Sequence, residues 1–109
     1  MRAIDVLKNV YLLIDEEFPE DTLLKAQNLG FINHILADLG IGGTLCDLNE
    51  ELGAEEKLLT AVVYGTAMLL TAAKGDSARQ QYFTELYNLK RALRGNREVR
   101  EDRIPVSLW

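Results

Sequence analysis

The chain has 109 residues, 48% of them apolar and 27% charged, which suits one domain around one core and not a disordered or fibrous protein. No apolar run reaches the ~18 residues that cross a bilayer, residues 1–15 lack the pattern of a secretory leader, and the lone Cys46 forms neither an internal disulfide nor a cysteine metal site; a reducing cytosol is expected. The formal charge of −5 is unevenly placed: residues 1–89 carry six Lys/Arg against fourteen Asp/Glu, a net of −8, and residues 90–109 carry six against three, a net of +3.

In chain order, Ile4, Val6, Leu7, Val10, Tyr11, Leu13 and Ile14 recur as the broad apolar stripe of a helix that Phe18-Pro19 stops. Asp21 or Thr22 caps a second helix, with Leu24, Ile32, Ile35, Leu36 and Leu39 on one face and Gly40 at its end. Gly30 inside it costs about 1 kcal/mol against Ala, which points to a bend or a close backbone contact. Residues 40–44, GIGGT, read as a flexible loop, and the leucines of residues 45–52, LCDLNEEL, tack the chain back onto the helices. A third helix over about 54–73 has Glu55 and Glu56 at its positive end and Lys74 at its negative end. Its centre, TAVVYGTAMLLTAA, is apolar nearly all round, as in a helix buried on most sides. Gly75 ends it and Asp76 caps a fourth helix, whose inner stripe is Tyr82, Leu86, Leu89 and Leu93, widened by Phe83 and Tyr87, and which Gly95 ends. Four helical patterns, short connections and no alternating strand predict an all-α fold, a small antiparallel bundle spanning 1–94 with a C-terminal assembly arm at 95–109.

The arm reads GNREVREDRIPVSLW: charged first, then apolar around Pro105, with the chain's one tryptophan as its last residue. A segment without its own core frays unless something ties it down, and Ile104, Val106, Leu108 and Trp109 carry area that gains from burial. A neighbouring subunit is the expected place. Arg91, Arg94, Arg97, Arg100 and Arg103 recur every third residue, and a helix continued through Gly95 would lay them along a slowly rotating stripe able to meet phosphates or carboxylates. Glu98, Glu101 and Asp102 interrupt that stripe, and an acidic body repels phosphate. Head-to-tail self-association fits the sign asymmetry better, with the basic arm of one copy over the acidic body of the next; the plain alternative is a solvated charged linker. The candidate interface is therefore Arg94, Arg97, Arg100, Arg103, Ile104, Val106, Leu108 and Trp109.

Signals for catalysis are sparse. His34 and Cys46 lack a specified third orienting group, and single Cys and His residues are usually structural. Asp15, Glu16 and Glu17, and again Glu50, Glu51, Glu55 and Glu56, read as solvated helix ends, because a di-metal bundle needs Glu-x-x-His pairs that the chain lacks. The glycines at 40, 42 and 43 have neither phosphate-loop spacing nor a preceding strand. Neither an enzyme nor a cofactor or metal site is expected.

Four stretches, FINHILADLG at 31–40, LCDLNEEL at 45–52, LLTAVVYGTAMLLTAAKGD at 58–76 and QYFTELYNLKRA at 81–92, resemble the head-tail connector, or neck adaptor, proteins of tailed bacteriophages and prophages. The most specific piece is Y-G-x-A-x-L-L-x-x-x-x-G-D followed by Y-F-x-x-L-Y-N-x-K-R, a structural pattern and not a catalytic signature. The resemblance implies an α-helical subunit of a homo-oligomeric ring below the portal, dodecameric in the virion, often held by a C-terminal arm that reaches the neighbour. It also implies the portal and other neck or tail-completion proteins as partners, DNA that passes without sequence-specific binding, no membrane, and a place in the virion neck after assembly in the bacterial cytoplasm. The alternative is a small helical DNA-binding regulator, with the second and third helices or the arginine stripe docked on a duplex.

Overall fold

A computed structural model of the protein describes residues 1–99, with residues 93–99 described by backbone alone. It contains α1 (Ala3–Leu13), α2 (Thr22–Asp38), α3 (Glu56–Ala73) and α4 (Ser77–Val99). Among the described residues the fold is all-α, with a single isolated antiparallel bridge between Arg2 and Glu51.

The first three helices end alike. Asp15, Gly40 and Gly75 turn left-handed at φ 58°, 76° and 76°. The next N–H in each case reaches back to a carbonyl of the last turn: Glu16 to Tyr11 at 3.0 Å, Ile41 to Leu36 at 2.9 Å and Asp76 to Thr71 at 3.0 Å. This is the Schellman closure, which glycine adopts without a Cβ clash. Helix starts are capped by carboxylates where the sequence supplies them, Asp21 accepting from the Leu23 N–H at 2.9 Å and Asp76 from the Arg79 N–H at 3.1 Å. Gly75-Asp76 thus closes α3 and opens α4, as its residue types dictate.

The start of α1 is satisfied by backbone instead. The Ala3 and Ile4 N–H groups donate to the carbonyls of Glu50 at 3.0 Å and Leu48 at 2.8 Å, and the Leu52 N–H donates to the Met1 carbonyl at 3.0 Å. Leu45 and Leu52 are buried and Leu48 packs on the core, so the 45–52 segment is tacked down as its leucines imply. Asn33 fixes the other end of that segment, donating to the Leu45 carbonyl and accepting from its N–H, both at 2.8 Å.

α3 is the hub and packs on each of the other three helices. Leu58, Ala61, Val62, Val63, Gly65, Thr66, Ala67, Leu70 and Thr71 are buried along it, which accounts for its all-round apolar sequence. From α1 come Ala3, Val6, Leu7, Val10, Tyr11 and Ile14, and from α2 Ile32, Ile35, Leu36 and Leu39. α3 and α4, joined by the short turn at 74–76, pack along each other as a helical hairpin, with Tyr64 against Phe83 and Gly65 under Tyr87. The ends of α1, α3 and α4 are tied by Lys74 to Glu16 at 2.9 Å and by the Arg79 guanidinium, which donates to the Ile14 carbonyl.

Four expectations from the sequence are corrected. Gly95 does not end the fourth helix, which continues to Val99, because one glycine costs only about 1 kcal/mol against Ala. The inner stripe of α4 is Phe83 and Tyr87, both buried; Tyr82 and Leu89 are 59% and 58% exposed. Phe83 and Tyr87 face inward because the bare backbone of Gly65 admits the Tyr87 ring. Leu13 of α1, assigned to the core stripe, is 46% exposed. Finally, Gly30 has open space around it, and the close contact is at Gly65, where an added Cβ would lie 2.8 and 2.9 Å from Ile35 and 2.9 Å from the Tyr87 ring.

Alanine at these two glycines should therefore act with opposite sign. Gly30→Ala is expected to stabilise by up to about 1 kcal/mol through helix propensity. Gly65→Ala should destabilise by about 1–2 kcal/mol, because the branched Ile35 and the Tyr87 ring are packed and cannot swing aside. Urea unfolding reads both, and stabilisation by Gly65→Ala would refute the close-approach account.

Candidate interaction surface

Two features stand out from the packed body: a polar junction at the α2–α4 contact and apolar area left in the open. The junction follows from Gly65. With Tyr87 seated against it, the phenol donates to Asp38 Oδ2 at 2.5 Å, and Arg91, one turn further along α4, places Nε 3.2 Å from the same oxygen. Burial, first, then the hydrogen bond to Asp38 and its negative charge push the Tyr87 phenol well above its ordinary value, with Arg91 opposing. The junction is structural: it joins the C-terminal end of α2 to the middle of α4. A second polar contact, Asn28 Nδ2 to the Tyr11 hydroxyl at 2.7 Å, is fully buried between α1 and α2.

The open apolar area has two parts. On α4, Tyr82 and Leu89 form an outward stripe with half-buried Leu86 between them, flanked by Glu85 and Lys90 and by Arg79 and Arg91, which pair with Asp76 and Asp38. Between α1 and α3 lies an open groove of about 450 Å³ lined by Leu12 and Leu13 of α1 and Leu59, Val63 and Tyr64 of α3, with Met1, Asn9 and Thr60 at its border. Leu12 is 78% exposed. The groove arises from registers: Asn9, Leu12 and Leu13 share one face of α1, as do Leu59, Val63 and Thr60, Tyr64 on α3.

Of the interface residues expected from sequence, Arg94 and Arg97 fall on the backbone of α4, so the arginine repeat begins on a helix and not on a detached arm. Arg100, Arg103, Ile104, Val106, Leu108 and Trp109 lie outside the described residues. His34 and Cys46 are both exposed, and the Cys46 N–H is used in the loop, donating to Glu50 Oε1 at 2.5 Å. Among the described residues no group of His, Cys, Asp and Glu is arranged to hold a metal ion, and no helix is long and apolar enough to cross a membrane. The groove escaped the sequence reading because Leu12 and Leu13 look like a continuation of the core stripe.

No protein-family model, curated protein or solved structure matches the chain.

The junction makes a pH-dependent prediction. An unfolded tyrosine ionises near pH 10, whereas folded Tyr87 keeps its proton to higher pH. Its contribution is therefore complete below about pH 10 and is lost as pH rises beyond that, since the unfolded state releases the proton first. Tyr87→Phe should cost about 1 kcal/mol at neutral pH, the net worth of the hydrogen bond. It should also flatten the alkaline decline in stability relative to wild type, read by urea midpoints between about pH 7 and 11. Equal slopes would show that Tyr87 is not the titrating group.

Proposed function

We propose that this protein is a structural assembly subunit, a head-tail connector (neck adaptor) of a tailed phage or prophage, which forms a homo-oligomeric ring through which DNA passes. The observation that carries this reading is open apolar area on a body that has already closed its core. Leu12, Leu13, Tyr82 and Leu89 stay exposed although nine residues of α3 are buried in the core. Contiguous exposed apolar area on a small protein marks a surface meant for another protein. The motif resemblance at 58–76 and 82–91 and the acidic body joined to a basic C-terminal stretch support the same reading. An acidic body also suits a conduit, because phosphate slides past a surface that does not hold it. Portal and other neck or tail-completion proteins would be the further partners, in the virion neck.

The DNA-binding regulator is the less supported reading. α3 is too buried to serve as a recognition helix, with Ala61, Val62, Thr66 and Ala67 inside the core. The net charge of −8 over residues 1–89 opposes duplex approach.

Sedimentation and a duplex mobility shift on the same sample test the proposal. The protein is expected to self-associate, to do so less as added salt screens the basic and acidic segments beyond about 8 Å, and to bind duplex DNA negligibly at physiological ionic strength. Deleting residues 104–109 should weaken association and leave the melting transition of the body in place. Tight, salt-sensitive DNA binding by a strictly monomeric protein would overturn the connector reading.

A further inference from the structure

We infer that the α1–α3 groove and the α4 stripe are one continuous face and that a second copy of the chain packs on it, body against body. This rests on the assembly reading above and adds to it a contact that does not involve residues 95–109. Continuity comes from a run of rings. Tyr64 lines the groove and stacks on Phe83 with ring centres 6.5 Å apart, and Phe83 meets Tyr82 of the stripe edge-on at 5.2 Å. Arg79, one turn before Tyr82 and Phe83, donates to the Ile14 carbonyl just past α1, so this side of α4 looks towards α1. Leu86 and Leu89 follow Tyr82 on that side at helical spacing. α1 and α4 pack on α3 and not on one another, which leaves the side of α3 between them without a helix of this chain over it.

Charge favours a second copy as the occupant. Residues 1–89 carry a net −8, so a basic partner is drawn to carboxylates elsewhere on the body, whereas two like-charged copies meet closely only where charge is balanced. This face is balanced. Arg2 pairs with Asp5, Lys57 with Glu55, Lys74 with Glu16 and Arg79 with Asp76 around it. The other helix charges one turn from its apolar residues are Lys8 and Lys90 against Glu56 and Glu85. Area agrees with the charge. Leu12, Leu13, Tyr82 and Leu89 together bare roughly 400 Å². That is close to the apolar share, somewhat over half, of the ~800 Å² that each partner of a standard interface buries.

Sedimentation of the full chain and of single variants tests this. Leu12→Glu on α1 and Tyr82→Glu on α4 are each expected to raise the dissociation constant by at least about tenfold, because each would bury a carboxylate without a partner. Leu23→Glu, at an equally exposed leucine on α2 and outside the face, should leave it unchanged. Melting transitions at the wild-type temperature check that the variants fold, and Leu89→Glu replaces Tyr82→Glu should that one not. In about 1 M salt, which screens charges beyond about 3 Å, wild type should keep an associated population and Leu12→Glu should not. Association that survives both Leu12→Glu and Tyr82→Glu, or that Leu23→Glu weakens as much, would overturn the face and leave the assembly reading in place. A wild-type chain that stays monomeric at every concentration would overturn both.

Discussion

At Gly65 the side chains of Ile35 and Tyr87 come so close to the α3 backbone that a single added carbon would sit 2.8–2.9 Å from them. Only glycine allows that approach, and it sets the rotation of α4 about its own axis. With Tyr87 and Phe83 turned to α3, Tyr82 and Leu89 must turn to solvent, because residues on a helix cannot all face one neighbour. The same rotation carries the Tyr87 hydroxyl to Asp38 and Arg91 after it, so the polar tie between α2 and α4 depends on a contact between α3 and both. Core packing and exposed surface are two results of one fit.

Much of this was legible in the chain. The caps at Asp21 and Asp76, the left-handed closures at Gly40 and Gly75, and the burial of the apolar third helix all follow from local rules that tertiary contacts did not override. Rotational phase was not legible. On α4 two stripes, Tyr82-Leu86-Leu89 and Phe83-Leu86-Tyr87, share Leu86 and fit a helical period equally well, and only the space above Gly65 decides between them. For the same reason Gly30 and Gly65 look alike in sequence: one stands in open space, the other under two side chains. Asp15 escaped notice as a left-handed closure because aspartate adopts that geometry less often than glycine. The groove was illegible because a pocket depends on how two helices cross, which no single helix encodes.

The polar interior shows a related limit. Asn28 lies fully buried on α2 in line with the apolar face of Ile32 and Ile35, and periodicity alone assigns that position to the core without saying why it is an amide. Its partner, the Tyr11 hydroxyl, comes from a different helix. Buried polar groups retained in this way fix how two helices register, since sliding α1 along α2 would leave both groups without a partner. α1 is therefore anchored by this side-chain bond along its length, by the backbone bonds to residues 48–52 at its start and by Arg79 and Lys74 at its end. One wall of the groove is thus held rigidly although its own apolar residues face outward.

In the proposed assembly, electrostatics determine when subunits meet. Two bodies of net charge −8 repel one another, whereas in the proposed assembly the +3 of residues 90–109 is attracted to the acidic body of a neighbour. These opposing terms act at different ranges. Body–body repulsion sums over charges tens of ångströms apart, and physiological salt screens it beyond about 8 Å. An arginine at contact distance from a carboxylate lies inside that length and keeps more of its attraction. Salt weakens both terms; association that falls with added salt means that the attraction outweighs the repulsion, and at high salt the apolar term is left to hold the pair. In the proposed assembly an acidic body with a basic, apolar-ended segment keeps free subunits apart by repulsion and holds them together once the segment lies on its neighbour.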